Sequence, residues 1–501
     1  MSHPIQPAFA AIALNREPGA RAIHRQLYQA ICLFLEQGVL KAGDPVPSSR
    51  LLSKALSVSR STVSAVYSRL CEEGLFEAKS GSGVFVARTL HPIGRQSLKK
   101  SLENYTQPAN LPVSASVAKS ALSFKVQDPV PFAVIAPDAE SLPGKEWTTI
   151  VARTSKSPWL HNGYCPPGGY MPYKEAVADY LRRARGLNAE APQVITTSGI
   201  QQSIDLCVSA LFKPGDRIAV EDPYFQPHLN LLEFRGLIPV PIPLTYDGID
   251  LEALEKEKDI KGLLFTPSHQ YPLGYVSSQE NIEGVLEWAK RNHAWVLEDD
   301  YDSELSYGTH SLPAAAAFDT YGLCIYAGSF TKVIYPGFNM GYVVVPPTLI
   351  EIIEGAKLLT DRHASEVHQT ILAEFIKDGG YDAHIRRLKR IYERRRQASV
   401  RAIGKYLSEF GQIEGENEGT HLTFIFNFEA DDKTLCKFLK NRGNIEARPL
   451  SACYRLPRGK TGLILGYAHF KEKEIEEAFK KTSDLLRLFI GDGTRFSRLS
   501  Q

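Results

Sequence analysis

The residue that most clearly predicts chemistry in this 501-residue chain is Lys332, in the stretch SFTKVIYPGFNMGY. It follows Ser329 and Thr331 directly after an apolar run, so an amine stands beside two small hydroxyl groups at the end of a predicted strand. An amine that is partly withdrawn from water has a lowered pKa and can form a Schiff base with an aldehyde. The stretch therefore predicts a lysine that anchors a carbonyl-bearing cofactor.

Two further candidate groups follow another apolar run, residues 294–297, in the stretch LEDDYDSE. Asp299 and Tyr301 then lie at the carboxyl end of a strand, which is where ligands of open α/β sheets bind. Pyridoxal phosphate (PLP) requires an aspartate beside its ring nitrogen, and a phenol can donate a hydrogen bond to its ring oxygen. Asp299, Tyr301 and Lys332 together match that requirement.

A phosphate group would need several donors, and the stretch TTSGIQQSIDL supplies a helix start after the strand that ends at Ile195. Backbone amides at a helix N-terminus favour anions. The candidate amides belong to Ser198, Gly199, Ile200 and Gln201. The alternative is ordinary structure, with Lys332 on the surface and Asp299 and Asp300 as helix caps. The shared position of these residues at strand ends favours a cofactor site.

The elements that must position these residues alternate along the chain from about residue 122. Strand-like apolar runs, each followed by a loop and an amphipathic helical stretch, are QVITTSG, DRIAVEDP, KGLLFTP, AWVLEDD and LCIYAGS. Such alternation is typical of an α/β fold with a mostly parallel sheet whose strands are buried on both faces. We predict one large α/β domain over residues 122–490.

Residues 15–88 predict a small α+β module in front of that domain. The run PSSRLLSKALSVSRSTVSAVYSRL contains two helical patterns separated by a short turn, and Ser59 is a suitable N-cap for the second. The apolar face of the second helix carries Val63, Val66 and Leu70. The following run GLFEAKSGSGVFVA predicts two strands joined by a glycine-containing turn.

The opposite face of the second helix starts with Arg60, Ser61 and Thr62, which are polar and mostly short. Amides and hydroxyls at such a helix start can contact DNA phosphates, and an arginine there can reach guanine edges in the major groove. Residues 1–90 also contain ten Lys and Arg against six Asp and Glu, which suits a polyanionic partner. The pattern favours DNA binding over the alternative of a small helical bundle with a hairpin.

Residues 89–121, between the two modules, are rich in Ser, Pro and Lys, with Tyr105 as their one aromatic residue. Because so little apolar surface cannot offset the entropy of ordering, a flexible linker is predicted. The seven cysteines form no CxxC or Cys/His cluster, which favours reduced core thiols and predicts no metal site. No stretch has the roughly 20 apolar residues of a membrane helix, and we expect a cytoplasmic protein.

The order PSSR, SRSTV and SGSGVFV over residues 24–87 resembles the winged helix-turn-helix head of the GntR superfamily of bacterial transcription regulators. The resemblance implies double-stranded promoter DNA as the partner. It assigns DNA contacts to Arg50, Arg60, Ser61, Thr62 and Gly83. Ser49 and Ser59 are expected to serve as helix caps or phosphate ligands.

The large domain is similar to fold-type I PLP-dependent aminotransferases, and together with the head it resembles the MocR subfamily of GntR regulators. The motifs that carry this resemblance are, in order, GYCPPGGYMPYKEAVADYL, TTSGIQQ, VEDPYF, TPSHQYPLG, LEDDYDSE and GSFTKVIYPGFNMGY. It implies that Lys332 forms the Schiff base, that Asp299 pairs with the ring nitrogen and that Tyr301 bonds the ring hydroxyl. Further cofactor contacts are implied for Phe225 on the ring face, His269 and Gln270 in the ring loop, and Ser329 and Thr331 beside the phosphate.

Two positions depart from the family pattern. An arginine that clamps the phosphate normally stands seven residues after the lysine, where this chain has Asn339. Loss of such a charge-assisted, bidentate pair removes about 1.5–3 kcal/mol of binding free energy, so PLP is expected to bind more weakly. The family's substrate-carboxylate arginine is replaced by Ile464, and either Arg448 or Arg455 is a candidate to take its place.

These features predict a DNA-binding transcription regulator that senses an amine or amino-acid effector through PLP. The missing carboxylate arginine argues against ordinary transamination, so at most vestigial or half-reaction PLP chemistry is expected. Two alternatives remain open: a PLP-dependent aminotransferase with an autoregulatory head, and a regulator that has lost PLP and binds its ligand non-covalently. The resemblance also implies a homodimer, and the linker is long enough for the two heads to be swapped.

Overall fold

The computed structural model describes residues 7–17, 19–88, 112–122, 129–134, 141–157, 163–307, 313–415, 419–457 and 459–498. The chain forms two compact units, Met1–Asn110 and Leu111–Gln501, which we call the head and the effector domain. Their elements confirm both predicted fold classes, an α+β head and an α/β domain with a mostly parallel sheet.

Helices make up most of the described head: α1 (Pro7–Ala10), α2 (Ile23–Glu36), α3 (Ser49–Leu56) and α4 (Arg60–Glu72). The side chain of Ser59 accepts a hydrogen bond from the Thr62 amide and caps α4, as predicted. Val63, Val66 and Leu70 of α4 are buried in the core of the head. Helices α3 and α4 therefore form a helix-turn-helix whose second helix keeps its polar start outside the core.

A three-stranded antiparallel sheet completes the head, in the order β1-β3-β2. Its strands are β1 (Pro45–Val46), β2 (Phe76–Lys79) and β3 (Gly83–Val86). The turn between β2 and β3 places Gly81 at φ 74° and Gly83 at φ 106°, a backbone region that glycine adopts without strain. The predicted hairpin is confirmed, and β1 adds a third strand that the sequence pattern did not indicate.

Only the end of the predicted linker, residues 89–121, lies among the described residues. It forms helix α5 (Val113–Ala121), none of whose side chains is buried. The segment VSASVAKSA contains three alanines, the residue with the highest helix propensity, which favours a helix here. Residues 89–111 lie outside the described part of the chain, and a linker there stays a prediction.

The effector domain is built on an eight-stranded mixed sheet in the order β4-β11-β10-β9-β8-β5-β6-β7. Strands β10, β9, β8, β5 and β6 run parallel, and β11 pairs antiparallel with both β10 and β4. All five predicted strand runs are confirmed as β4, β5, β8, β9 and β10. The strands are β4 (Val194–Thr197), β5 (Arg217–Asp222), β6 (Ile238–Thr245), β7 (Gly248–Ile249), β8 (Ile260–Phe265), β9 (Trp295–Asp300), β10 (Cys324–Ser329) and β11 (Gly341–Val344).

Helices accompany this sheet on both faces: α6 (Lys145–Thr154), α7 (Met171–Arg185), α8 (Ile200–Leu211), α9 (Gln226–Phe234), α10 (Leu251–Lys256), α11 (Gln279–Asn292), α12 (Ile350–Thr360) and α13 (Glu366–Lys377). Alternate residues of a strand point to opposite faces. In β5, Ile218 and Val220 pack in one apolar cluster with residues of α8, whereas Ala219 packs in another with residues of α11. The central strands are therefore buried on both faces, as their apolar sequences predicted.

A second sheet of four antiparallel strands lies later in the chain, in the order β12-β13-β15-β14. Its strands are β12 (Gly411–Glu414), β13 (His421–Phe426), β14 (Arg448–Pro449) and β15 (Gly462–Gly466). The accompanying helices are α14 (Gly380–Tyr406), α15 (Asp432–Gly443) and α16 (Glu472–Arg498). The sequence did not distinguish this sheet from the first, because its short strands also alternate with helices.

A buried ion pair fixes the carboxyl end of β9. Nε of Arg185, the last residue of α7, lies 2.9 Å from Oδ2 of Asp300, the last residue of β9, and both side chains are buried. The hydroxyl of Tyr326 in β10 donates to the same carboxylate at 2.5 Å. Because Asp299 and Tyr301 flank Asp300 in the chain, this pair orients the strand end that carries the predicted site.

None of the helices in the described part of the chain is long and apolar enough to cross a membrane. The seven cysteines are free thiols. Five of them are buried, and Cys32 and Cys71 in the head are half-buried. Burial of this kind fits the predicted role of the cysteines as small core residues.

We expect Arg185→Met to destabilise the effector domain strongly, because it leaves the Asp300 carboxylate buried without its cation. Removal of one partner of a buried pair costs about 3–5 kcal/mol. The matched control is Arg182→Met in the same helix, whose exposed pair with Asp179 is worth less than about 1 kcal/mol. Thermal unfolding of the two variants, followed by near-ultraviolet circular dichroism, would contradict this account if their midpoints were equal.

Candidate cofactor site and DNA-binding surface

Lys332 lies in the turn that follows β10, next to the fully buried Val333. Burial lowers the pKa of the lysine amine; Asp302 opposes this shift, and Arg448 reinforces it. A lowered pKa increases the fraction of neutral, nucleophilic amine near neutral pH. The lysine thus has the surroundings that a covalent anchor for a carbonyl compound requires.

Asp299 lies close to this turn, because β9 runs parallel to β10 and pairs Asp299 with Ala327. The carboxylate is buried, and its Oδ2 lies 3.4 Å from Nδ1 of His228 in α9. The other oxygen, Oδ1, has no hydrogen-bond partner among the described residues. Burial, reinforced by the neighbouring Asp300, raises the pKa of Asp299 well above its usual range. This carboxylate therefore lacks a donor that would stabilise its charged form.

His228 is a member of the site that sequence reasoning missed. Burial lowers the pKa of its imidazole to about 3, so the ring is neutral. Its Nδ1 lies 3.4 Å from Oδ2 of Asp299 and 3.4 Å from the hydroxyl of Tyr224. The available signal was its place in α9, which starts just after the carboxyl end of β5. Ligand sites of such sheets gather at that edge, but the sequence did not show that α9 turns His228 toward Asp299.

Tyr301, His269 and Asp302 form a compact polar cluster beside Asp299. The Tyr301 hydroxyl lies 2.9 Å from Nδ1 of His269, and the Asp302 carboxylate lies 2.9 and 3.0 Å from the same nitrogen. Because a carboxylate accepts hydrogen bonds, the proton on Nδ1 faces Asp302, which fixes the imidazole tautomer. Tyr301 and His269 were predicted site residues. Asp302 was overlooked, although it stands in the same motif, LEDDYDSE.

Phe225 and Gln270 have different roles at the edge of the site. Phe225 directly precedes α9, and its ring stands edge-on to those of His228 and Tyr271, at centroid distances of 5.0 and 5.3 Å. The Gln270 amide nitrogen donates to the carbonyl groups of Pro223 and Tyr271 at 2.7 and 2.6 Å. Gln270 therefore holds its loop against the segment that follows β5, and its predicted contact with a cofactor ring stays a prediction.

Three side-chain oxygens converge on the start of α8, where an anion was expected to bind. Gly199 precedes the helix at φ 99°. A Cβ added to Gly199 would lie 3.7 to 3.8 Å from Oγ1 of Thr331, Oδ1 of Asn339 and Oγ of Ser329. We call this arrangement the anion cradle. It consists of the start of α8 and these three side chains.

The four predicted backbone donors of the cradle are not equivalent. The amides of Ile200 and Gln201 belong to the first turn of α8 and have no partner within the helix, as at any helix start. The amide of Ser198 instead donates to Oε1 of Gln202 at 2.7 Å. Within the described structure, Ser198 is therefore engaged by its own helix, and the amides of Gly199, Ile200 and Gln201 stay the predicted donors of the cradle.

Asn339 ends the short turn after Lys332 in a left-handed conformation, at φ 46°. Asparagine tolerates this region better than most residues with a side chain. Its amide oxygen faces Gly199 in the cradle. The position thus contributes a polar but uncharged group where the family pattern has a guanidinium.

The two candidate arginines for a carboxylate occupy different places. Arg448 is the register partner of Ile464 in the antiparallel pair β14–β15, so the two side chains lie on the same face of the sheet. Arg448 also lies near Tyr271: burial raises the pKa of this tyrosine, and the charge of Arg448 partly opposes that shift. The same charge lowers the pKa of Lys332. Arg455 forms a half-exposed ion pair with Glu233 at 2.9 Å. The structure therefore brings Arg448, and not Arg455, to the site.

The predicted DNA contacts all belong to the head. Arg50, Arg60, Ser61 and Gly83 are exposed, and Thr62 is half-buried. Nε of Arg60 lies 3.4 Å from the hydroxyl of Ser49, which it uses as an acceptor. Ser49 is therefore not the cap of α3; the preceding Ser48 accepts the Leu51 amide instead. The exposed start of α4 and the tip of the hairpin present the expected polar surface.

Solved structures share the fold of the effector domain. The alpha-aminoadipate aminotransferase LysN of Thermus thermophilus, complexed with N-(5'-phosphopyridoxyl)-L-leucine, matches with a TM-score of 0.70 and 23% identity, over 76% of this chain and 98% of that chain. The Pyrococcus horikoshii kynurenine aminotransferase, in complex with PMP, matches with a TM-score of 0.68 and 23% identity, over 78% and 98%. At this identity the likeness shows the fold.

Sequence families match both units. Residues 142–481 match the family "Aminotransferase class I and II", and residues 23–86 match "Bacterial regulatory proteins, gntR family". The first match covers more than half of the chain. The two matches together join a DNA-binding head of the GntR type to an aminotransferase-like domain.

Curated relatives have the same arrangement over nearly their whole length. The "Probable rhizopine catabolism regulatory protein MocR" of Rhizobium meliloti is 31% identical over 459 residues, 91% of this chain and 92% of the relative. The "HTH-type pyridoxine biosynthesis transcriptional regulator PdxR" of Corynebacterium glutamicum is 28% identical over 479 residues, 95% and 98% of the two chains. The chain therefore belongs to the MocR-type members of the GntR family of bacterial transcription regulators, with an aminotransferase class I and II domain behind a winged helix-turn-helix.

Proposed function

We propose that this regulator binds PLP covalently on Lys332 and uses it to sense a small amine or amino acid, which changes the affinity of the head for promoter DNA. The observation that carries the proposal is the buried Oδ1 of Asp299, which has no partner among the described residues. A pyridinium N–H is the donor that would satisfy this oxygen and stabilise the charged carboxylate. When bound, PLP supplies an aldehyde that condenses with primary amines, so an amine is the expected effector class.

The residues around Asp299 support this placement of the ring. Nδ1 of His228 lies 3.4 Å from Oδ2, the other oxygen of the same carboxylate. Tyr301, held against the His269–Asp302 pair, is oriented to bond a ring oxygen. Phe225, anchored edge-on by two neighbouring rings, is available to pack on the ring face. Each of these side chains fits the group that the proposal assigns to it.

The anion cradle would hold the phosphate group. Backbone amides at a helix start such as that of α8 favour the binding of an anion. Ser329 and Thr331 add hydroxyls, which lie 2.8 Å from each other. Asn339 adds an amide without charge. We therefore propose that PLP binds more weakly here than in a relative with arginine at this position, by the one to two decades in dissociation constant that about 1.5–3 kcal/mol represents.

Arg448 is our candidate for binding an effector carboxylate. It faces the same side of the sheet as Ile464 and influences the amine of Lys332. Ile464 itself is fully buried and apolar and cannot pair with a carboxylate. A carboxylate held from β14 instead of β15 would be oriented differently, and orientation decides proton transfer at the α-carbon. This difference favours sensing over steady transamination.

The proposed regulator acts as a homodimer. Helix α12 exposes large apolar side chains at Ile352, Leu358 and Leu359, the last of which is 88% exposed. Ile352 and Leu359 stand seven residues apart and therefore lie on one face of the helix. An effector shifts the regulator between states only by binding one of them more tightly. A dimer in which effector binding alters the contact between subunits provides two such states.

Lys332→Ala should abolish the visible absorbance of the purified protein after incubation with PLP, because it removes the amine that the proposal assigns to the Schiff base. Borohydride should fix the cofactor on the wild-type chain and not on the variant. Lys377→Ala serves as the control, since this exposed lysine pairs with Glu175 on the surface. A wild-type protein that stays colourless after loading with PLP would contradict the proposal.

Arg448→Ala should weaken effector binding at least tenfold while the PLP spectrum stays unchanged, because it removes a charge-assisted pair to a carboxylate. Arg455→Ala is the matched control and should leave effector affinity unchanged. The measurement is the spectral change of the PLP-loaded protein on titration with amino acids and with the corresponding carboxylate-free amines. Equal effects on both ligand types would exclude Arg448 as the carboxylate contact.

Arg60→Ala should reduce affinity for promoter DNA by about 1–3 kcal/mol and leave the PLP spectrum intact. Arg69 lies in the same helix and pairs with Glu73 at 2.8 Å. The control substitution Arg69→Ala should therefore affect DNA binding little. Fluorescence anisotropy at fixed salt concentration compares the two variants. Similar losses from both would show that the start of α4 is not the recognition surface.

A further inference from the structure

A second buried lysine, Lys357 of α12, is connected by hydrogen bonds to the start of α8. It is fully buried, and its Nζ lies 2.6 and 2.8 Å from the two carboxylate oxygens of Asp361. The same Nζ lies 3.4 Å from Oε1 of Gln202. Gln202 Nε2 in turn donates to Asp361 at 2.7 Å. Lysine is almost never fully buried unless it is paired, and here Asp361 is the paired acid.

The connection ends at the anion cradle. Oε1 of Gln202 accepts the amide of Ser198 at 2.7 Å, and Ser198 directly precedes Gly199 in the chain. Two hydrogen bonds therefore separate the buried ammonium from the backbone that faces the cradle. The buried ammonium is thus linked through the Gln202 side chain to the residue that precedes Gly199, and a charge withdrawn from water is screened little.

The packing of α12 does not by itself require a lysine at this position. Ile353, one turn earlier on the same buried face, is apolar and fully buried. A well-packed apolar residue often stabilises such a position as much as an ion pair does. The carboxylate of Asp361 is also about one-third exposed, so the pair is not sealed from solvent on that side. The contact with Gln202 is what links this pair to the start of α8.

We propose that Lys357 supplies the cradle with the positive charge that Asn339 does not provide, and that Asp361 attenuates it. The inference rests on the proposed function, since it concerns the affinity of the cradle for the PLP phosphate. Lys357 is a positioning residue: it acts through Gln202 and through its field, without touching the cofactor. The two members of the pair then have opposite effects on phosphate affinity.

The test is a titration of the full-length protein with PLP, followed by absorbance, for variants of both residues. Lys357→Met should raise the dissociation constant about tenfold, and Asp361→Asn should lower it several-fold. Lys357→Arg, which keeps the charge, should stay near the wild type. Pyridoxal, which lacks the phosphate, should bind all variants alike. Lys377→Met is the control for loss of a surface lysine.

Opposite signs for the two substitutions distinguish a charge effect from a structural one, because a merely structural network would weaken binding in both. Equal weakening in both variants, or equal changes for PLP and pyridoxal, would overturn the inference. If Lys357→Met does not fold, Asp361→Asn decides alone, since its carboxylate is partly exposed and tighter PLP binding has no structural explanation. A wild-type protein that binds PLP but has insensitive variants refutes only this inference, whereas a wild type without any PLP adduct refutes the proposed function with it.

Discussion

The effector domain depends on one constraint, the burial of several carboxylates at the carboxyl end of β9. A buried carboxylate is stable only with a cation or hydrogen-bond donors beside it. The partners are the amides of Ala315 and Ala316 for Glu298, Arg185 and Tyr326 for Asp300, and His269 for Asp302. Asp299, in the middle of the row, keeps one oxygen without a partner in the described structure. Asp299 is thus the acid of this row whose hydrogen-bonding requirement the described residues leave unmet.

The same row joins the site to the stability of the fold. Burial raises the pKa of Glu298 to about 7, and Asp300 adds to this shift. The charge state of the strand end therefore depends on α7, which brings Arg185, and on the turn that brings the two alanine amides. A change that loosens either element alters the electrostatic field around Asp299 as well as the packing. The stability of the fold and the electrostatic field at Asp299 therefore cannot be varied independently here.

The sequence predicted the features that depend only on neighbouring residues in the chain, namely the strands and the residues at their ends. Apolar runs marked five strands of the sheet, and the hydrophilic residues just after them marked its ligand edge at Lys332 and Asp299. Contacts between distant segments could not be predicted, because spacing along the chain does not report how helices rotate or strands align. His228 reaches Asp299 through the orientation of α9, and Arg448 faces Ile464 through the register of β14. Ser198 shows a subtler limit, since a side chain four residues later takes the amide that the cradle was expected to use.

Asn339 ends a turn of ordinary appearance, and its lack of charge changes what a regulator of this kind measures. A cofactor that is clamped tightly is always present, so the output depends on the effector alone. A cofactor that dissociates within the range of its cellular concentration makes the responsive fraction depend on both concentrations, as the product of two occupancies. On the proposed function, the regulator responds to an amine only when the PLP concentration is high enough to load it. One uncharged side chain would then couple gene expression to the availability of a coenzyme.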